Sequence, residues 1–253
     1  MEAKQITMED ILIETHIGLQ RQGPGSPEMI AKALSFIDNV SEISKAADLG
    51  CGTGGQTMIL AQNIAGTIVG IDQIPDFISV LNKHAQEHNL GDRVTGIVAS
   101  MKDLSFQHGE LDLIWSEGAI DEIGFETGLA HWQAFLKKNG HIAVTCVSWF
   151  TDDQPAEIQK FWTDAGCRVN SIAYNIGIMQ KCGYSFVAAF ALPENCWTHN
   201  YFYPRQAAEK AFSDKYPGNT LVDEYIKNCN HEVDLYSRCK QYYGYVFYIG
   251  KKI

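Results

Sequence analysis

The chain lacks an excess of basic charge: 20 Lys and Arg face 30 Asp and Glu, a formal net charge of −10 over 253 residues. Such a field repels polyanions at a distance, so nucleic acid is not expected as a general partner. Long apolar runs are missing too. The longest, such as IAVTCV and FVAAFAL, fall far short of the roughly 20 residues of a membrane-spanning helix, and polar residues interrupt MEAKQITMEDILIETH where a signal peptide needs an unbroken apolar stretch. No membrane partner is expected, and a cytoplasmic location is the default. The seven cysteines, at 51, 146, 167, 182, 196, 229 and 239, are odd in number and never spaced C-x-x-C. Neither a disulfide framework nor a zinc knuckle is signalled, and most should behave as small buried hydrophobes. His84 and His88 stand one helical turn apart in HAQEH, but no third ligand accompanies them; the pair reads as a solvated helix face, and no metal is expected. Repeats, low-complexity segments and linkers are also missing. With 45% hydrophobic and 20% charged residues, one domain spanning 1–253 accounts for the composition.

What is present from residue 46 onward is a regular alternation of short apolar runs with helical patterns, the signature of βαβ units feeding a parallel sheet. AADLG ends a first strand and GQTMILAQNIAG makes a helix; TIVGID is a second strand and PDFISVLNKHAQEHNL a helix opened by Pro75. RVTGIVAS and LDLIWS supply the third and fourth strands. ETGLAHWQAFLKKNG reads as a helix with Gly140 past its end, before HIAVTCVSW as the fifth strand. Right-handed crossovers then build an open, doubly wound α/β sheet whose ligands sit at the carboxyl ends of its strands. The second half is less regular. AEIQKFWTDAG looks helical, YSFVAAFAL is a sixth strand and YGYVFYIGKK a seventh, with about fifty residues between them that carry helical patterns. All eleven tyrosines lie at or after position 174.

The loop DLGCGTGGQ, residues 48–56, satisfies the dinucleotide pattern G-x-G-x-x-G through Gly50, Gly52 and Gly55. Asp48 stands two residues before the first glycine, and an ionised acid there would oppose a pyrophosphate held against the following helix. A ligand with a cationic amine and a sulfonium would gain from the same acid, which favours S-adenosylmethionine over NAD. No Gly-Lys-Ser/Thr follows, so a P-loop is excluded.

On these residues the chain resembles class I S-adenosylmethionine-dependent methyltransferases, in their small-molecule branch. DLGCGTGG matches the first motif of that family, VGIDQIPDFI the acidic end of its second strand, and DLIWSEGAI its fourth-strand motif; GPGSPE and LKKNGHIAV extend the likeness over most of residues 23–150. The resemblance implies a mostly parallel, seven-stranded Rossmann-like sheet whose last strand is antiparallel, with a helical insertion, residues 193–242, between strands six and seven and a helical segment at 1–45. It also implies S-adenosylmethionine as the cofactor. Gly50, Gly52 and Gly54 would let the backbone pass close to the methionyl and ribose parts. Asp48 would serve the ammonium end, directly or through water, and Asp72 would accept hydrogen bonds from both ribose hydroxyls, unless it only caps the helix ahead of Pro75. Ser100 and Met101 would lie by the adenine. Trp115, Ser116 and Glu117 end strand four at the sheet's functional edge; Glu117 orients the cofactor, touches substrate or caps the next short helix.

The resemblance implies methyl transfer to a small molecule, with release of S-adenosylhomocysteine. Because the sulfonium already activates the methyl, the protein's share is mainly positioning, and no residue declares itself as a catalytic base. Chain direction brings both ends of the 193–242 insertion to the carboxyl edge. It is therefore expected to act as a lid, with Trp197, Tyr201, Phe202 and Tyr203 walling the acceptor pocket and Trp149 and Tyr184 contributing from below. An N-P-P-Y motif is absent. An RNA methyltransferase, a nicotinamide oxidoreductase and a non-catalytic cofactor-binding protein remain as alternatives, and a homodimer is left open.

Overall fold

The computed structural model describes residues 6–253. Two short helices come first: α1 (Met8–His16) opens with a reciprocal Thr7–Asp10 capping box, and α2 (Pro27–Leu34) with a Ser26 cap and a proline in its first turn. The first five strands follow the expected alternation. They are β1 (Lys45–Leu49), β2 (Thr67–Asp72), β3 (Val94–Val98), β4 (Leu111–Ser116) and β5 (Leu136–Trp149), interleaved with α3 (Gly55–Asn63), α4 (Pro75–Glu87) and α5 (Phe125–Trp132). After α6 (Ala156–Asp164) come a two-residue β6 (Asn170–Ser171), α7 (Ile172–Lys181) and β7 (Tyr184–Ala191). The insertion holds α8 (Glu194–Trp197), a π-helical turn over Thr198–Phe202, α9 (Tyr203–Lys215) and α10 (Thr220–Cys239), and β8 (Tyr243–Lys252) closes the chain. No helix among the described residues is long and apolar enough to cross a membrane.

The sheet runs β3-β2-β1-β4-β5-β8-β7, with β8 antiparallel to both neighbours. The short β6 pairs with the end of β5, making eight strands where seven were expected. Side chains alternate across the sheet as the strand period requires. Ala46, Leu113, Ala143 and Phe247 face the layer of α2, α3 and α4, whereas Ala47, Ile114, Val144 and Val246 face α5 and α7.

Two local expectations need correction. The helix expected to run to Gly140 stops at Trp132, a 3₁₀ turn covers Gln133–Phe135, and residues 136–140 belong to β5. Gly140 is not a helix stop. A bulge brings it against β4, where an added Cβ would lie 3.0 Å from the Lys137 carbonyl and 3.1 Å from that of Asp112. Helix α7 was not anticipated: its Ser171 cap follows the irregular stretch after α6, and its buried Ile178 and Met179 join the core on the α5 side.

Candidate active site

A cavity of about 400 Å³ opens at the carboxyl ends of the parallel strands. Its walls come from the turn after β1 (Gly50–Gly52), the end of β2 (Ile71–Ile74), Ala99 and Met101 after β3, and Glu117–Ala119 after β4. This is the edge at which open α/β sheets hold ligands. Gly50, Gly52 and Gly54 all have positive φ. Their immediate neighbours are protein groups: an added Cβ at Gly50 would meet Ala119 at 2.3 Å, at Gly52 the Gln22 side chain at 2.3 Å, and at Gly54 Leu81 at 2.2 Å. Gly54 does not line the cavity; it is the left-handed cap of α3. At Gly55, whose Cβ would sit 2.0 Å from the Gln20 carbonyl, the crowding comes from the N-terminal segment.

Asp72 lies at the rim with both oxygens engaged, Oδ2 accepting from Gly52 N–H at 2.9 Å and Oδ1 from Ile74 N–H at 2.9 Å. It thereby pins the glycine turn to the start of α4 while its carboxylate lines the cavity. Asp48 is placed differently. Fully buried beneath the turn and outside the cavity lining, it accepts from Thr57 Oγ1 at 2.6 Å, and its other oxygen has no partner. Burial pushes its pKa up to about 7 against the lowering effect of the Thr57 hydroxyl, and the nearby Glu117 charge adds to the rise.

Glu117 is buried and carries an ion pair that the sequence reading missed: Arg21 Nη2 lies 2.5 Å from its Oε2, with side-chain exposures of 8% and 2%. Trp115 Nε1 donates to Glu117 Oε1 at 2.8 Å. Trp115 itself does not reach the cavity; its ring is buried edge-on to Phe247, so its task is to orient Glu117. Met101 lines the cavity, its carbonyl held by Trp132 Nε1, whereas Ser100 stays outside the lining and braces the following turn through Lys102 N–H.

Of the aromatics expected to wall an acceptor, Tyr201 alone lines the cavity. Trp197 and Phe202 are buried behind it in an aromatic cluster that Tyr201 shares with Tyr236 and Tyr243, Trp197 stacking on Tyr236 at 4.6 Å. Trp149 packs on Tyr243 at the edge of the same cluster. Tyr203 is 53% exposed beside His199. Tyr184 sits at the other edge of the sheet, because β7 starts there opposite Lys252; its hydroxyl donates to the Leu129 carbonyl. Tyr203→Ala is accordingly expected to change stability by less than about 0.5 kcal/mol in urea melts and to leave ligand affinity unchanged. A tenfold loss of affinity would return Tyr203 to the site.

The N-terminal segment completes the cavity with Leu12, His16, Arg21 and Gln22. Gln22 stitches it to the glycine turn, accepting from Thr53 N–H at 3.0 Å and donating to the His16 and Leu19 carbonyls. The one available signal was a lone arginine beside the glycine- and proline-rich GPGSP.

Residues 46–140 match the family described as "Methyltransferase domain". Over those residues the chain is similar to a methyltransferase domain. The chain is 32% identical over 134 residues to a probable cobalt-precorrin-6B C(15)-methyltransferase (decarboxylating) of Methanothermobacter thermautotrophicus, covering 52% of this chain and 65% of that protein. The chain spans less than two thirds of the length of that relative and of the next two curated relatives it matches. In fold, the chain superposes on a methyltransferase of Geobacter sulfurreducens solved with S-adenosyl-L-homocysteine, with a TM-score of 0.82, 17% identity and coverage of 98% and 100% of the two chains. The [4+2]-cyclase SpnF shares the fold too, with a TM-score of 0.71, 17% identity and coverage of 89% and 81%.

Proposed function

We propose that the protein binds S-adenosylmethionine in this cavity and transfers its methyl group to a small-molecule acceptor in the cytoplasm, releasing S-adenosylhomocysteine. The observation that carries the reading is the Asp72 carboxylate, fixed by two backbone amides at the end of β2 while it lines the cavity beside the glycine turn. A diol is the group such a carboxylate recognises, through two charge-assisted hydrogen bonds. The residues present fit the cofactor: Asp72 would take the ribose hydroxyls, Met101 and Phe77 would flank the adenine, and the turn Gly50–Gly52 would pass the methionyl arm. Bound there, S-adenosylmethionine supplies a methyl group already activated by its sulfonium. The chain's own contribution is position and exclusion of water, with the insertion 193–242 and α1 as the cover. A net charge of −10 supports a small acceptor rather than a polyanion.

Calorimetry is expected to show binding of S-adenosylmethionine and S-adenosylhomocysteine and no binding of NAD; micromolar NAD affinity with no heat from either sulfur ligand would sink the reading. A metabolite screen for S-adenosylhomocysteine release then tests turnover, which matters because the fold also serves a cyclase. Binding should also report on Asp48. Its pKa, raised by burial to about 7, falls when a cationic ammonium approaches, since that charge favours the ionised form. Near pH 7 binding should therefore release up to about half a proton, and none at pH 9, where Asp48 is already ionised. Equal heats in buffers of different ionisation enthalpy at pH 7 would remove Asp48 from the ligand's field.

A further inference from the structure

Residues 17–26, the segment between α1 and α2, give the cavity one wall through Arg21, Gln22, Gly23 and Pro24. The segment touches three separate parts of the protein. It rests on the glycine turn, where Gln22 accepts from Thr53 N–H at 3.0 Å and the Gln20 carbonyl occupies the space a side chain on Gly55 would need. In its middle Arg21 pairs with Glu117 after β4. At its far end the insertion holds Gly25 from two directions: Gly25 N–H donates to the Cys196 carbonyl at 3.4 Å, and its carbonyl accepts from Asn200 Nδ2 at 2.8 Å. The Arg21 guanidinium packs directly on Gly25, where an added Cβ would lie 2.3 Å from Nη2. Movement at the ion pair is therefore felt at the clasp on the insertion.

Little else holds the segment down. None of residues 17–26 belongs to an apolar core cluster among the described residues, and segments with few buried apolar contacts open at low free energy. Closure also carries a cost of its own. Arg21 Nε and Nη1 are buried without hydrogen-bond partners, and both regain water when the segment lifts. A ligand in the cavity offsets that cost, because Arg21–Pro24 supply wall only in the closed arrangement, and the ligand therefore binds that arrangement more tightly. The effect extends to the insertion. Asn200 stands beside Tyr201 in the π-helical turn; Tyr201 lines the cavity, whereas Asn200, Cys196 and Gly25 do not. Closing the segment on the glycine turn completes the clasp on Asn200, and so fixes the turn that carries Tyr201.

Resting on the reading of the cavity as the S-adenosylmethionine site, we propose that residues 17–26 are a strap that opens to admit the cofactor and, on closing over it, seats the π-helical turn of the insertion, so that the wall bearing Tyr201 is completed after the cofactor is in place. The cofactor then binds before the acceptor. By linkage, an acceptor that leans on the seated turn tightens the cofactor by the same factor as the cofactor tightens it.

The test uses the full chain and S-adenosylhomocysteine. Calorimetry comes first, and absence of binding there overturns the cofactor reading and the strap together, before any motion is measured. With binding shown, hydrogen exchange followed by mass spectrometry compares the free and saturated chain. The ligand should slow exchange by about tenfold or more in residues 17–26, and also in 196–200, which lie outside the cavity lining and are protected only through the clasp. Asn200→Ala removes the clasp without touching the lining: protection of the glycine turn should persist, and protection of 196–200 should be lost. Association followed by tryptophan fluorescence should level off with rising ligand concentration at the opening rate of the strap, and Asn200→Ala should raise that plateau about fivefold. Protection confined to the glycine turn overturns the strap, as does an association rate that rises linearly to the limit of mixing. Wild-type protection of 196–200 in Asn200→Ala overturns the route through Gly25. If that variant does not fold, the exchange pattern and association rate of the wild-type chain still decide whether the strap exists.

Discussion

Glu117→Ala is expected to destabilise the fold by about 3–5 kcal/mol, because it strands a buried guanidinium without its counter-ion. Arg21 and Glu117 meet at 2.5 Å with almost no solvent around either side chain, and the same carboxylate accepts from the Trp115 indole. Removing it leaves one charge and one N–H unpaired in the same place. Urea denaturation should show a lower midpoint with an unchanged slope. The cycle with Arg21 identifies the cause: Glu117→Ala combined with Arg21→Met should recover most of the loss, because no unpaired charge then remains. A loss under about 1 kcal/mol in the single variant would mean that the pair behaves as a surface ion pair. Glu117→Gln keeps an acceptor for Trp115 and should fall between.

Asp72→Ala is expected to weaken binding of S-adenosylhomocysteine by roughly 2–4 kcal/mol, about 30- to 900-fold, through loss of two charge-assisted hydrogen bonds to the ribose diol. The structure adds a second consequence. Gly52 N–H and Ile74 N–H lose their acceptor in the same variant, which should cost about 1–2 kcal/mol of stability and loosen the glycine turn. Asp72→Asn separates the effects, since the amide oxygen can still accept one backbone hydrogen bond while the charge is gone. Unchanged affinity in folded Asp72→Ala would place the diol elsewhere.

How much of this was legible varied with the range of the interactions. Strands β1 to β4 and the two helices between β1 and β3 were readable because each is set by a local period and a local stop, such as Pro75 at the start of α4. The segment LKKNG misled for the same local reason: glycine after a helical pattern reads as a stop, and nothing nearby tells that Gly140 answers to carbonyls on β4. Arg21 and Glu117 are 96 residues apart, and no local pattern couples them. The direction of the strands told where the insertion leaves and rejoins the sheet, but not which of its rings turn inward. That choice is made by Arg205, over whose guanidinium Tyr201 and Phe202 pack at 4.9 and 5.2 Å, and by Tyr236, which claims Trp197. Asp48 was singled out as an acid that would serve the ammonium end, directly or through water; its complete burial outside the cavity lining follows from α3 closing over it, which only the packing of Thr57 shows.

The contact between α1 and the helices of the insertion has a consequence for biosynthesis. Helix α1 packs on α9, its Ile11 sharing an apolar cluster with Phe212 and Val222, while Thr15 meets the Tyr225 hydroxyl across 210 residues of sequence. Synthesis on the ribosome proceeds in one direction, so α1 emerges long before its docking surface on α9 and α10. The strands from β1 to β5 can pair in that interval, whereas the wall that His16 and Leu12 give to the cleft must wait until α10 has left the exit tunnel. Nascent chains halted before residue 220 would hold most of the central sheet with its ligand edge uncovered.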